Sequence, residues 1–150
     1  SITGVEDGHG SDEESERQSL DVQVRFLEAT GVDVFAPAIG NAHGSYRASP
    51  VLDVQRVTDL VERHPIPIAL HGGSGLSAEQ FQDLIARGCA KVNISTALKE
   101  LFMKSTLRFL EEARDSDKWD PPSLFRSVRQ DVVEMTTGLA ETFGSAGKAW

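Results

Sequence analysis

Residues 66–77, IPIALHGGSGLS, join a short apolar run directly to a glycine-rich polar segment. An apolar run of this length bounded by turn residues predicts a buried strand. Ser77, followed three residues later by Gln80, has the spacing of a capping box, which predicts that a helix begins there. The stretch therefore predicts a strand–loop–helix unit whose polar residues lie at the carboxyl end of the strand.

The same order recurs on both sides of this unit. Upstream, a helix predicted from Ser19 to Gly31 leads into the apolar run 32–40, although Pro37 removes a ladder donor from that predicted strand. Downstream, a helix that ends at Gly88 leads into a predicted strand at 90–94. Strands that alternate with helices predict parallel βαβ units and an α/β fold.

Three further helices and one loop complete the predicted organisation. Apolar periodicity predicts helices at 53–64, at 96–114 and, after a break at Asp120-Pro121-Pro122, at 123–143. Residues 1–17 are polar and acidic and bury little apolar surface, so a surface loop is expected there.

Length and charge restrict the class of protein. The 150 residues suffice for one compact domain, and the formal net charge of -8 excludes a general basic surface for nucleic acid. A single cysteine excludes an internal disulfide, and no apolar run approaches the roughly 20 residues that span a bilayer. We expect a cytoplasmic protein without nucleic-acid or membrane partners.

Polar residues follow each predicted strand, where parallel α/β proteins carry their ligand chemistry. His43 and His71 are of the residue type that most often supplies nitrogen to zinc, although a histidine beside glycine also hydrogen-bonds backbone carbonyls. Residues 72–75, GGSG, precede a helix and predict an anion cradle, or an ordinary glycine-rich turn. Glu6 and Asp7 are a carboxylate pair suited to proton transfer or simply solvated.

Four stretches in order resemble the class II, metal-dependent fructose-bisphosphate and tagatose-bisphosphate aldolases. They are residues 4–8 (GVEDG), 38–44 (AIGNAHG), 70–75 (LHGGSG) and 91–99 (KVNISTALK). The resemblance implies the C-terminal half of a (β/α)8 TIM barrel, about strands 6–8 with their helices, with residues 1–17 as an active-site loop. It also implies a homodimer or homotetramer.

The resemblance implies a role for each matching residue. His43 and His71 match two of the family's three zinc-binding histidines, and Glu6 matches a loop glutamate implicated in proton transfer. Zinc would polarise the ketose carbonyl and stabilise the enediolate left by carbon–carbon cleavage. A monovalent cation, Na⁺ or K⁺, is implied near the glycine-rich loop. The family's site for the phosphate of dihydroxyacetone phosphate is matched by Gly44, Gly72, Gly73, Ser74, Asn93, Ser95 and Thr96.

Two departures from the family pattern keep other functions open. The family's Asp-His motif, which supplies the remaining zinc ligand and a catalytic aspartate, has no counterpart in these 150 residues, and Thr3 replaces a usual glycine. The expected function is reversible cleavage of a ketose bisphosphate to dihydroxyacetone phosphate and an aldehyde such as glyceraldehyde 3-phosphate. The alternatives are a non-catalytic phosphosugar-binding module and a subunit that completes a partner's barrel. A Schiff-base aldolase is disfavoured, because nothing marks Lys91 or Lys99 as desolvated.

Overall fold

The computed structural model describes residues 18–41 and 51–148. Five helices and two strands follow one another within these residues, and none of these helices is long and apolar enough to cross a membrane. The chain divides into two compact units, Ser1–Thr96 and Ala97–Trp150. The elements are α1 (Leu20–Thr30), α2 (Val54–Arg63), β1 (Ile68–Leu70), α3 (Ala78–Ala86), β2 (Cys89–Val92), α4 (Thr96–Ser116) and α5 (Pro121–Thr142).

The first unit contains the βαβ arrangement that the sequence predicts. Strands β1 and β2 pair in parallel, with Ile68 opposite Cys89 and Leu70 opposite Val92, and the register is irregular between Ile68 and Ala69. Helix α3 connects the two strands. The polar segments after both strands therefore lie at the same edge of this small sheet.

The prediction of a strand over residues 32–40 is wrong about its length. Only Phe35 pairs with the sheet, in a single parallel bridge to Ile68, and the side chain of Val34 is exposed. Phe35 donates its N–H to the carbonyl of Pro67 at 3.1 Å and accepts from Ala69 at 2.8 Å. The next donor in this register would be the N–H of residue 37, and Pro37 has none, so the backbone ladder stops.

The helices of the first unit begin and end at residues suited to those positions. Ser19 caps α1, and Gly31 ends it in the left-handed conformation at φ +60°. Asp53 caps α2 by accepting a hydrogen bond from the N–H of Arg56. These helices pack an apolar core formed by Val24, Leu27, Ile39, Val57, Leu60, Ile68, Leu70 and Leu84.

The second unit is built from α4 and α5. Helix α5 begins at Pro121, two residues earlier than predicted, because proline is tolerated in the first helical turn, where the N–H has no intrahelical partner. Arg108 of α4 donates to a carboxylate oxygen of Asp131 of α5 at 2.7 Å. Val128 is buried, whereas apolar side chains remain exposed at Phe102, Met103, Leu107 and Phe125.

Candidate functional site

The ends of β1 and β2 converge at one place in the first unit. The N–H of Asn93 donates to the carbonyl of Leu70 at 2.9 Å and thereby extends the ladder one residue beyond β2. A Cβ atom on Gly73 would lie 3.1 Å from the carbonyl oxygen of Asn93 and 3.2 Å from Cγ1 of Val92. The glycine-rich loop and the Asn93 segment, predicted to share a phosphate site, are therefore in contact.

The loop after β1 has a conformation that depends on glycine. Gly72 and Gly75 adopt φ +62° and +92°, which side chains other than glycine rarely adopt. Residues 72–74 are buried, and the N–H of Leu76 donates to the carbonyl of Gly73 at 3.3 Å. A compact glycine-rich loop at the N-terminus of a helix is a common form of anion site.

The predicted capping box at the start of α3 is confirmed. The Ser77 hydroxyl accepts from the N–H of Gln80 at 3.3 Å, and the Ser77 N–H donates to the side-chain oxygen of Gln80 at 2.9 Å. A hydrogen bond with the Ser77 side chain lowers the pKa of the exposed Glu79. Some of the backbone N–H groups in the first turn of α3, which have no partner within the helix, are therefore satisfied by this capping box. The same turn carries one charged carboxylate, that of Glu79.

His71 is the predicted metal ligand that lies within the described residues. It directly follows β1, the residue as a whole is half-buried, and its Nδ1 atom is buried. Its carbonyl oxygen accepts a hydrogen bond at 2.7 Å from Nδ2 of Asn41, whose side chain is buried. The backbone of the predicted ligand is thus held by Asn41, a residue to which the sequence motifs assign no role.

The remaining predicted site residues lie either just after β2 or outside the residues that the structure describes. Ser95 is exposed, and Thr96 is the first residue of α4. Glu6, His43 and Gly44 lie outside the described residues. Within residues 18–41 and 51–148, no group of three His, Cys, Asp or Glu side chains is arranged to hold a metal ion. An imidazole at a strand end nevertheless fits zinc as a single ligand.

Cys89 and a cavity in the second unit offer no alternative chemistry. Burial raises the pKa of the Cys89 thiol to about 11, so the thiol stays protonated and is a poor nucleophile. The cavity has a volume of about 140 Å³, and its walls are largely apolar. It is lined by Phe109, Leu110, Ala113, Trp119, Asp120, Pro121 and Leu124.

Comparison with solved structures supports the resemblance stated from the motifs. The YdjI aldolase from Escherichia coli K12 is 31% identical with a TM-score of 0.73, over 90% of this chain and 48% of that chain. A Coccidioides immitis protein described as a fructose-1,6-bisphosphate aldolase is 28% identical with a TM-score of 0.81, over 99% of this chain and 51% of that one. The chain thus spans about half the length of these proteins.

A third solved structure shares the fold. Fructose-bisphosphate aldolase from Campylobacter jejuni is 18% identical with a TM-score of 0.73, over 88% of this chain and 47% of that one. The model of the family "Fructose-bisphosphate aldolase class-II" matches residues 1–148, nearly the whole sequence. The chain therefore belongs to the class II fructose-bisphosphate aldolase family.

Proposed function

We propose that these 150 residues form the C-terminal half of the (β/α)8 barrel of a zinc-dependent ketose-bisphosphate aldolase. The reaction is reversible cleavage of the ketose bisphosphate to dihydroxyacetone phosphate and an aldehyde such as glyceraldehyde 3-phosphate. The family match over residues 1–148 supports this class of reaction. The observation that carries the proposal for the site is the contact between Gly73 and Asn93 at the end of the parallel sheet.

The phosphate of the substrate is proposed to bind between the two strand ends. The loop 72–74 supplies main-chain groups beside the N-terminus of α3, where the helix dipole favours an anion. Asn93, Ser95 and Thr96 supply side-chain donors from the end of β2. Gly44 completes the proposed site, and a monovalent cation near the glycine-rich loop would balance part of the phosphate charge.

The metal is proposed to bind His43 and His71, with a third ligand from the N-terminal half of the barrel. When bound, zinc supplies a Lewis acid for the ketose carbonyl. The role of His71 is to present its imidazole from a backbone that Asn41 holds at the end of β1. Glu6 is proposed to move a proton at the enediolate carbon, which is the carbon that attacks the aldehyde in the condensation direction.

Metal content and cleavage of fructose 1,6-bisphosphate and its tagatose epimer test this function. We expect the full-length protein to bind about one zinc ion per chain and to lose activity on chelation. His71→Ala should lose both zinc and activity, whereas His64→Ala, at the end of α2, should keep both. Full zinc content and unchanged turnover in His71→Ala would refute the metal assignment.

A non-catalytic phosphosugar-binding protein, or a subunit that completes a partner's barrel, is the second candidate. Phosphosugar binding that survives chelation, without any turnover, would support the binding protein. Co-purification with a chain that carries an Asp-His motif would support the subunit. Zinc-dependent turnover by a single polypeptide of about twice 16.3 kDa would contradict both alternatives.

A further inference from the structure

The carboxamide of Asn41 forms two hydrogen bonds in the interior of the first unit. Its Oδ1 accepts from the N–H of Ile39 at 3.1 Å, and its Nδ2 donates to the carbonyl of His71 at 2.7 Å. The residue is only 4% exposed. A buried amide is costly unless its polar groups are paired, so this geometry identifies a specific link between the two segments.

The register of the sheet shows that the Asn41 side chain takes the place of a direct backbone hydrogen bond between Ile39 and His71. Phe35 donates to the carbonyl of Pro67, so in a continuous parallel ladder residue 37 would donate to residue 69, and Ile39 would donate to His71. Pro37 has no N–H and interrupts this series. Instead of bonding directly, Ile39 and His71 are joined through the Asn41 side chain, which lies between them as a spacer.

The other side of Ile39 is also held. Its carbonyl accepts from the N–H of Asp53, the N-cap of α2, at 2.8 Å. Both backbone polar groups of Ile39 are therefore engaged, one with the helix and one with the Asn41 amide. The position of segment 39–41 relative to His71 thus depends on the length and the hydrogen-bonding pattern of one side chain.

We propose that Asn41 is a positioning residue for the zinc site, because its carboxamide sets the spacing between His71 and the segment that leads to His43. The inference rests on the proposed function, in which both histidines bind zinc. The amide acts through the backbone and contacts neither metal nor substrate. A hydrogen-bonded partner that orients a ligand typically changes metal affinity by about 10- to 100-fold when it is removed.

Variants of similar size separate this role from simple space filling. Asn41→Asp keeps the acceptor for Ile39 but loses the donor to His71, and Asn41→Leu loses both bonds while retaining bulk. Val24→Ala is the control for lost stability, since Val24 is buried in α1, which carries no proposed site residue. A purely structural role would make all three variants alike once their losses of stability are matched.

Two measurements on the full-length protein test the proposal. Hydrogen exchange of the metal-free protein, followed by mass spectrometry, should become several-fold faster at residues 70–76 in both Asn41 variants and stay unchanged there in Val24→Ala. Competition with a chromophoric chelator, with zinc alone as the probe, should show about 10- to 100-fold weaker binding in the Asn41 variants only.

The outcomes distinguish this inference from the proposed function. Unchanged exchange at residues 70–76 would refute the positioning role, whether or not the protein binds zinc. Tight zinc binding in the wild type and equally tight binding in Asn41→Asp would refute the inference and leave the proposed function intact. A wild-type protein that binds no zinc would contradict both.

Discussion

Gly73 lies against the backbone of Asn93, so closely that a Cβ atom on Gly73 would be 3.1 Å from the Asn93 carbonyl oxygen and 3.0 Å from Cδ1 of Ile94. These distances are shorter than ordinary van der Waals contact, and one of the opposing atoms belongs to the main chain. The loop after β1 and the segment after β2 meet because residue 73 has no side chain. This contact brings together the two parts of the proposed phosphate site.

Gly73→Ala is therefore expected to separate the two strand ends. The added methyl group must displace the Asn93 backbone, and such overpacking costs about 1–3 kcal/mol of unfolding free energy. Binding of inorganic phosphate should weaken as well, because its proposed donors come from both sides of the contact. Urea denaturation and calorimetric titration with phosphate measure the two effects. Unchanged phosphate binding in a destabilised variant would place the anion elsewhere.

Gly138→Ala is the matched control for this substitution. Gly138 lies inside α5, and a Cβ atom there would meet nothing within 4 Å. Alanine in a helix interior is favoured over glycine by about 0.5–1 kcal/mol, so the unfolding free energy should rise. Phosphate binding should not change. A lower unfolding free energy in Gly138→Ala would contradict the open space that the structure shows around this position.

Gly88→Ala should be the most damaging of the glycine substitutions. Gly88 adopts φ +120°, and a Cβ atom there would lie 2.8 Å from Cγ2 of Val61. Backbone strain and overpacking together should cost at least about 2 kcal/mol in urea denaturation. In a Val61→Ala background the cost should be smaller but not zero, because only the contact is relieved. Equal costs in both backgrounds would show that Val61 does not oppose the new methyl group.

Substitutions of Ser77 separate helix capping from anion binding. Ser77→Ala should lower the unfolding free energy by about 1 kcal/mol through loss of the N-cap. Ser77→Asp should retain most of the cap, but its negative charge beside the proposed anion loop should weaken phosphate binding. Denaturation and phosphate titration on both variants test this. Full phosphate affinity in Ser77→Asp would argue against an anion near the start of α3.

The buried thiol of Cys89 should make the unfolding free energy of the protein depend on pH. Burial raises the pKa of its thiol to about 11, so above about pH 9 the unfolded chain releases this proton more readily than the folded one. The contribution of Cys89 to stability is therefore complete below about pH 9 and decreases as the pH rises toward 11. Relative to Cys89→Ala, the wild type should lose roughly 1–2 kcal/mol across this range. Parallel pH profiles of the two proteins would contradict the raised pKa.

Local signals in the sequence were sufficient for most of the secondary structure. Ser19 and Gly31 mark the ends of α1, and Ser77 with Gln80 marks the start of α3, because caps and left-handed glycines depend on neighbouring residues alone. The order of the motifs identified the family, and the model of that family matches residues 1–148. The roles assigned to the site residues stay predictions, and His43, Gly44 and Glu6 also lie outside the described part of the chain.

Periodicity and local hydrogen bonding were enough to predict the capped ends of α1 and the start of α3, the βαβ order and the residue types at the strand ends. The single bridge of segment 32–40, from Phe35 to Ile68, depends on tertiary packing, since the missing N–H of Pro37 matters only where the segment lies beside β1. The same holds for the link from Asn41 to His71 and the contact of Gly73 with Asn93. Such contacts join residues distant in the chain, and their geometry depends on how the strands and loops pack together.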